Sequence, residues 1–178
     1  MKSEPVFLRA LEHGDVERTL AWHNDAELYE SLGGTFRFVS REAEEEWIRR
    51  RCAPSRDEVN LAICVAPTRR HIGNIYLRDI DWVSRRGEVH VSIGEKKCRS
   101  KGYGTSALRQ LARHAFATLG LQRLFLFVQA DNAAAIRAYR NCGFEVEGTL
   151  KRHVFKDGRF KDMLVMGLCR PSSVGETA

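Results

Sequence analysis

The chain has 178 residues, 43% of them hydrophobic, which is enough for one domain with a buried core. Its five cysteines include no CxxC pair and its six histidines are scattered, which argues against a disulfide framework and against a zinc site. The net charge of +6 favours an anionic partner, such as nucleic acid, anionic lipid or a phosphorylated cofactor.

The first third of the chain predicts one strand followed by helices. Val6 to Leu11 predicts the strand, and Gly14 begins a helix whose apolar positions share one face. Asp25 to Leu32 continues that helix after a break. Ser40 is a favourable N-cap followed by acidic residues that suit the positive end of a helix, which predicts a second helix ending near Cys52.

Three strands are predicted next, separated by short turns. They cover Asn60 to Ala66, His71 to Trp82, and Glu88 to Gly94, and Gly73 predicts a bulge or a close backbone approach. The last of them alternates polar and apolar residues, which is typical of a strand with two different faces. The resulting antiparallel meander excludes a plain doubly wound fold.

A glycine-containing run connects the third of these strands to a clean amphipathic helix. Gly102 and Gly104 allow a tight turn and let a ligand approach without a Cβ in the way. A helix that begins there directs unpaired N–H groups and a positive dipole end at one point, which suits a phosphate or pyrophosphate. The run consists of Arg99, Ser100, Lys101, Gly102, Tyr103, Gly104 and Thr105.

The last third predicts a buried strand, a short helix and a hairpin. The strand is Arg123 to Gln129 and the helix runs from Asp131 to about Asn141. Strands over Phe144 to Phe155 and Arg159 to Leu168 flank an Asp-Gly turn, a strong hairpin signal. The fold class is therefore α/β, or mixed α+β, with one central sheet. We expect one domain over residues 1–170 and a loose tail over residues 171–178.

The expected location is the cytoplasm. No apolar run approaches the roughly 20 residues that a membrane-spanning helix needs. The first five residues also lack the hydrophobic stretch of a signal peptide. We therefore expect no membrane partner.

Two motifs resemble the signatures of the GNAT N-acetyltransferase superfamily. Arg99 to Gly104 matches Arg/Gln-x-x-Gly-x-Gly/Ala, and Asn132 to Phe144 resembles Asn-x-x-Ala-x-x-x-Tyr-x-x-x-Gly-Phe. The element order also fits, so the resemblance covers nearly the whole chain. It implies the GNAT fold: a central, mostly antiparallel sheet with a splayed parallel strand pair and helices on both faces.

The resemblance implies acetyl-CoA as donor and no metal. Backbone N–H groups from about Arg99 to Thr105 would hold the pyrophosphate, and the Arg99 and Lys101 side chains would add charge-assisted contacts. The pantetheine arm would pair with strand backbone, with Asn132 contacting it. The strand positions that match this role are Val91, Ser92 and Ile93.

The same resemblance gives Tyr139 the role of general acid toward the leaving thiolate. The alternative is an ordinary core tyrosine beside Ile136. An alkyl amine has a pKa of roughly 10, so it must lose a proton before it attacks. Glu88, acting through a water relay, is the preferred base and His90 the second choice. Cys98 and Cys142 lie near the motifs, but the family transfers the acyl group directly.

Within the superfamily, the chain is most similar to the ribosomal-protein-alanine and spermidine acetyltransferases. The implied acceptor is a primary amine: a polyamine, an amino sugar, an antibiotic or a protein N-terminus. Asp25, Glu27 and Glu30 are carboxylates available to a polyamine. A homodimer is possible in this branch. The alternatives are a catalytically silent CoA sensor and a nucleic-acid binder, for which the sequence has no recognised motif.

Overall fold

The computed structural model describes residues 5–156 and 158–171. Predictions that concern the N-terminal residues 1–4, Asp157 in the hairpin turn, and the tail after Pro171 lie outside the described residues. The strands are β1 (Val6–Ala10), β2 (Val59–Val65), β3 (His71–Asp81), β4 (Arg86–Ser92), β5 (Arg123–Gln129), β6 (Glu145–Lys156) and β7 (Arg159–Cys169). The α-helices are α1 (Val16–His23), α2 (Ala26–Ser31), α3 (Arg41–Cys52), α4 (Tyr103–Ala117) and α5 (Ala133–Arg140), with 3-10 turns at His13–Asp15 and Lys96–Cys98.

Seven strands of the described chain form one mixed sheet in the order β1-β2-β3-β4-β5-β7-β6. β4 and β5 run parallel, whereas the other neighbouring strands are antiparallel. The parallel pairing covers only Arg86–Glu88 against Arg123–Phe125, and the two strands separate beyond Glu88. The predicted splayed pair is therefore confirmed, and it opens a gap in the middle of the sheet.

Helices cover both faces of the sheet, as predicted. On one face, α4 packs its apolar stripe, including Leu108 and Leu111, against β1, β3 and β4. On the other face, α3 brings Trp47 against a smaller cluster that includes Tyr76. Within the described ranges, no helix is long and apolar enough to cross a membrane.

Local side-chain bonds explain where several elements begin and end. Ser40 caps α3 as predicted, because its Oγ accepts a hydrogen bond from the Ala43 N–H at 3.2 Å. The helix predicted from Gly14 instead begins at Val16, since the Asp15 carboxylate binds Arg9 at 2.7 Å and holds a 3-10 turn. β3 ends at Asp81 because that carboxylate accepts from two backbone N–H groups of the next turn.

Gly73 marks a close approach between β3 and the end of β4. A Cβ there would lie 2.2 Å from the Ser92 carbonyl oxygen, and the β2–β3 register shifts beside it. Both the predicted bulge and the predicted close approach are thus present. The two strands can sit this close only because Gly73 lacks a side chain.

Replacing Gly73 with Ala should lower the free energy of unfolding by about 3 kcal/mol, because backbone rather than a flexible side chain must move. Gly148→Ala is the matched control: a Cβ at Gly148 meets nothing within 4 Å, so its effect should stay within about 0.5 kcal/mol. Denaturant unfolding measures both. Equal stability of the two variants would contradict the close approach.

Candidate active site

A cavity of about 830 Å³ lies where β4 and β5 separate. It brings together most of the residues singled out in the sequence. The predicted site residues that line it are Glu88, Val91, Ser92, Ile93, Arg99, Ser100, Asn132 and Tyr139, together with His90. Aromatic residues from several elements complete its walls: Trp22, Tyr29, Trp47, Tyr76, Phe127 and His153.

The polar face of β4 supplies the candidate bases. Glu88, His90 and Ser92 alternate along the strand and all line the cavity, as their spacing predicted. Glu88 Oε1 lies 3.0 Å from His90 Nε2, so the two candidates contact each other. The Glu88 side chain is 16% exposed and the His90 side chain 41% exposed, so a water can reach the pair through the histidine.

Tyr139 reaches the same cavity from α5. Its ring packs against Phe144 with 6.1 Å between ring centroids, so the core interpretation of this residue is correct for the ring. Burial raises the pKa of its phenol to about 12, so the hydroxyl keeps its proton at neutral pH. A protonated hydroxyl in the cavity can donate that proton to a leaving group.

The loop before α4, where the sequence predicts a phosphate cradle, turns sharply. Ser100 and Gly102 have φ angles of +59° and +78°, which turn the chain sharply into the helix. Gly102 is the N-cap, and its carbonyl accepts from the Ser106 N–H at 3.0 Å. Lys101 is exposed beside them, so its ammonium can approach an anion on this loop.

Arg99 already has protein partners. Its guanidinium donates to the Ile93 and Gly94 carbonyls at 3.1 and 2.9 Å, and to Asp25 at 3.1 Å. These bonds tie the end of β4 to the start of α2, which keeps the gap beside β4 in shape. A direct contact between the Arg99 side chain and pyrophosphate remains a prediction, and the structure adds this positioning role.

Asn132 also connects two elements. Its Oδ1 caps α5 by accepting from the Ala135 N–H at 3.0 Å, and its Nδ2 donates to the Ser31 carbonyl at 3.1 Å. The amide therefore fixes α2 and its following loop over the cavity. Its predicted contact with pantetheine remains a prediction.

The two loop glycines should respond differently to Ala. Gly102→Ala places a Cβ in the left-handed region, which costs roughly 1 kcal/mol and should weaken acetyl-CoA binding by shifting the loop. Gly104→Ala is the comparison variant, because the GNAT signature accepts Ala at this position and the added Cβ meets only Ile93 Cγ1 at 3.8 Å, while Ala favours a helix by up to about 1 kcal/mol. Calorimetric titration and thermal unfolding should separate the variants, and stronger binding by Gly102→Ala would contradict the assigned cradle.

The carboxylates suggested for a polyamine are not in the cavity. Asp25 and Glu27 form ion pairs with Arg99 and Lys96 at the outside of the loop. Glu30 is exposed and does not contribute to the lining. The sequence position of these residues, in and beside the short helix α2, did not reveal where their side chains point. In the structure, this six-residue helix turns them away from the cavity.

One lining residue, Arg78, was missed by the sequence reasoning. It stands on β3 directly opposite Glu88, as Tyr76 stands opposite His90 and Asn74 opposite Ser92. The alternation of residues along β3 predicts that Asn74, Tyr76 and Arg78 share one face of the strand. Only the pairing register of β3 with β4 shows that this face lies beside the candidate bases. Across the described residues, no group of three His, Cys, Asp or Glu side chains could hold a metal ion.

The comparisons with known proteins agree with this geometry. Residues 6–145 match the family model described as acetyltransferase (GNAT) domain. The chain is 26% identical to spermidine N(1)-acetyltransferase of Vibrio cholerae over 166 residues, covering 89% of each. It is 34% identical to the Escherichia coli enzyme of that name over 94 residues, covering 53% of this chain and 50% of the relative.

A solved structure has the same fold. The crystal structure of spermidine N-acetyltransferase from Vibrio cholerae in complex with CoA and spermine superposes with a TM-score of 0.86. The match covers 94% of this chain and 96% of that one at 24% identity.

Proposed function

Because this chain belongs to the acetyltransferase (GNAT) family, it transfers an acetyl group from acetyl-CoA to an amine, and we propose that Glu88 and Tyr139 are its catalytic residues. The observation that carries the proposal is one cavity at the β4–β5 gap that holds both side chains. Glu88 has a histidine at contact distance to pass a proton, and Tyr139 holds its proton at neutral pH.

The proposed donor site follows the gap. The pyrophosphate lies on the backbone N–H groups of the loop from Arg99 to Thr105, with Lys101 beside it. The pantetheine arm runs along Val91, Ser92 and Ile93, where β4 has left its β5 partner and offers free backbone edge. Asn132 lines the same cavity and contacts this arm.

The proposed reaction is direct. The Glu88–His90 pair removes a proton from the ammonium group, directly or through a water, and the amine nitrogen attacks the thioester carbonyl. A backbone N–H near the end of β4 stabilises the resulting oxyanion. The oxyanion then re-forms the carbonyl as the C–S bond breaks, and Tyr139 gives its proton to the departing sulfur. The second proton that the nitrogen loses on becoming an amide passes to the Tyr139 phenolate, which restores the acid. Burial raises the pKa of the Cys142 thiol, which makes it a poor nucleophile for a competing covalent route.

The wider assignments are also proposals. Residues 1–170 act as one domain, because β6 and β7 extend the sheet beyond the residues that the family model matches. The enzyme works in the cytoplasm, without a nucleic-acid or membrane partner, and a homodimer is a possible assembly. One spermidine N-acetyltransferase from Vibrio cholerae is described as dodecameric.

A thermal shift assay combined with CoA release tests the proposal. Acetyl-CoA should raise the unfolding temperature, whereas RNA and DNA should not, and an added amine should accelerate CoA release. A shift with nucleic acid alone would instead favour the nucleic-acid binder. A shift with acetyl-CoA but no amine-dependent release would favour the silent sensor.

A further inference from the structure

Relatives of this chain are named for spermidine, a polyamine, yet few acidic residues line its cavity. Among the described residues that line it, Glu88 is the one carboxylate, and two arginines line it as well. Glu44 is fully buried on α3, contacts His23 Nδ1 at 2.6 Å and does not line the cavity, although its charge acts on the lining residues Tyr29 and Tyr76. A polyamine carries several ammonium groups, and each needs an anionic or polar acceptor when it is desolvated. One lining carboxylate therefore favours an acceptor with a single ammonium group over a polycation.

Arg78 is a cation of this cavity that makes no direct ion pair with any described carboxylate. Its Nε is buried without a hydrogen-bond partner among the described residues. The nearest acidic side chains are already engaged, because Glu58 binds Arg51 and Asn60 while Glu88 contacts His90. Burial and the nearby Arg51 lower the pKa of Arg78, and the Glu58 and Glu88 carboxylates oppose that shift without reversing it.

The guanidinium is nevertheless held in place. It lies over the Tyr76 ring at 4.7 Å from the ring centroid, a cation–π contact that fixes its plane without using its hydrogen-bond donors. Arg99, the other arginine of the lining, differs because its donors are bound to Ile93, Gly94 and Asp25. Arg78 is thus held over Tyr76, directly across from Glu88, with hydrogen-bond donors that no described residue uses.

We propose that Arg78 is a specificity-determining residue that binds the carboxylate of an α-amino acid acceptor while Glu88 and His90 receive its amine. This inference rests on the proposed function. Directly opposed residues on antiparallel strands have Cβ atoms roughly 5 Å apart, so a short molecule carrying both groups can meet both side chains. A guanidinium suits a carboxylate because it donates two parallel hydrogen bonds.

The walls favour an apolar or aromatic amino acid. Tyr29, Trp47 and Phe127 line the same cavity as Arg78 and Glu88, and their rings can pack against the side chain of an amino acid. A polyamine would gain nothing from Arg78, since the two cations repel each other. A protein N-terminus lacks a carboxylate next to its amine and so would not use this residue either.

Steady-state acetylation of L-phenylalanine, L-phenylalanine amide and spermidine tests the inference. The wild-type enzyme should show a kcat/KM for the acid roughly 10- to 100-fold above that for the amide, and spermidine should be the poorest acceptor. Arg78→Gln should remove the preference for the acid, mainly through KM, and leave the amide within about twofold. Arg78→Lys should restore part of the preference. Arg18→Gln, at an exposed position of α1, makes the same charge change and should leave all three rates unaltered.

Three outcomes would overturn the inference and leave acetyl transfer intact: a preference for spermidine, a preference for the amide, or an equal loss on acid and amide in Arg78→Gln at unchanged melting temperature. Failure to acetylate any of the three amines, or a wider panel that includes peptide N-termini, would instead overturn the proposed function and the inference with it. Acetylation of peptides alone would keep the function and reject Arg78 as the carboxylate site.

Discussion

Replacing Tyr139 with Phe should lower kcat by about 100-fold or more, while the Kd for acetyl-CoA stays the same. The loss follows from removing a positioned general acid, a contribution of roughly 10²- to 10⁴-fold. Phe keeps the ring contact with Phe144 and fills the same space, so binding and folding should be preserved. Stopped reactions at saturating acetyl-CoA and amine measure kcat, and calorimetric titration measures the Kd.

The melting temperature of Tyr139→Phe is the control for this result. The variant loses only a hydroxyl from a buried ring, so it should unfold within a few degrees of the wild type. Unchanged kcat in a folded variant would mean that another donor protonates the thiolate, and Tyr139 would then be an ordinary core residue.

Replacing Glu88 with Gln should lower kcat/KM for an alkylamine at pH 7 by about 100-fold, with a smaller deficit at higher pH. An alkylamine with a pKa of roughly 10 is almost entirely protonated at pH 7, and its free fraction rises about tenfold per pH unit. The variant should therefore recover as the amine loses its proton in solution. Initial rates from pH 7 to pH 9 measure this recovery.

His90→Asn separates the two candidate bases. Glu88 and His90 are in contact, so the double variant should lose much less than the product of the two single losses. Full additivity would mean that they act independently. If the loss of kcat/KM in Glu88→Gln were the same at every pH, the Glu88 carboxylate would position His90 or Arg78 and would not remove the proton.

The sequence was informative about this fold where local chemistry determines the backbone. β5 matches its predicted bounds, because a short uninterrupted apolar run between two turns is typical of a strand in the middle of a sheet. α3 begins as predicted because Ser40 caps it. The helix near Gly14 was misplaced by two residues because the Arg9–Asp15 ion pair, a contact across different elements, holds the turn that precedes it.

The predicted donor residues lie in short sequence motifs, whereas the residues of the acceptor side are far apart in the sequence. The glycine loop and the Asn132 motif are each short, continuous stretches of sequence that precede or begin a helix. Their backbone geometry therefore depends mainly on neighbouring residues. The acceptor cavity is assembled from α1, α2, α3, β3, β4 and the β6–β7 hairpin, so its charge depends on strand register. Asp25 and Glu27 looked available in the sequence, yet the fold pairs them with Arg99 and Lys96 and exposes Arg78 to the cavity instead.

Mass spectrometry of a quenched reaction containing acetyl-CoA and an amine panel tests direct acetyl transfer most directly. The account predicts an amine product heavier by one acetyl group, equimolar free CoA, and a protein chain whose mass never changes during turnover. A chain that carries an acetyl group in mid-reaction would contradict direct transfer and point to a thiol such as Cys98 or Cys142. Bound acetyl-CoA without any acetylated amine would contradict the activity itself.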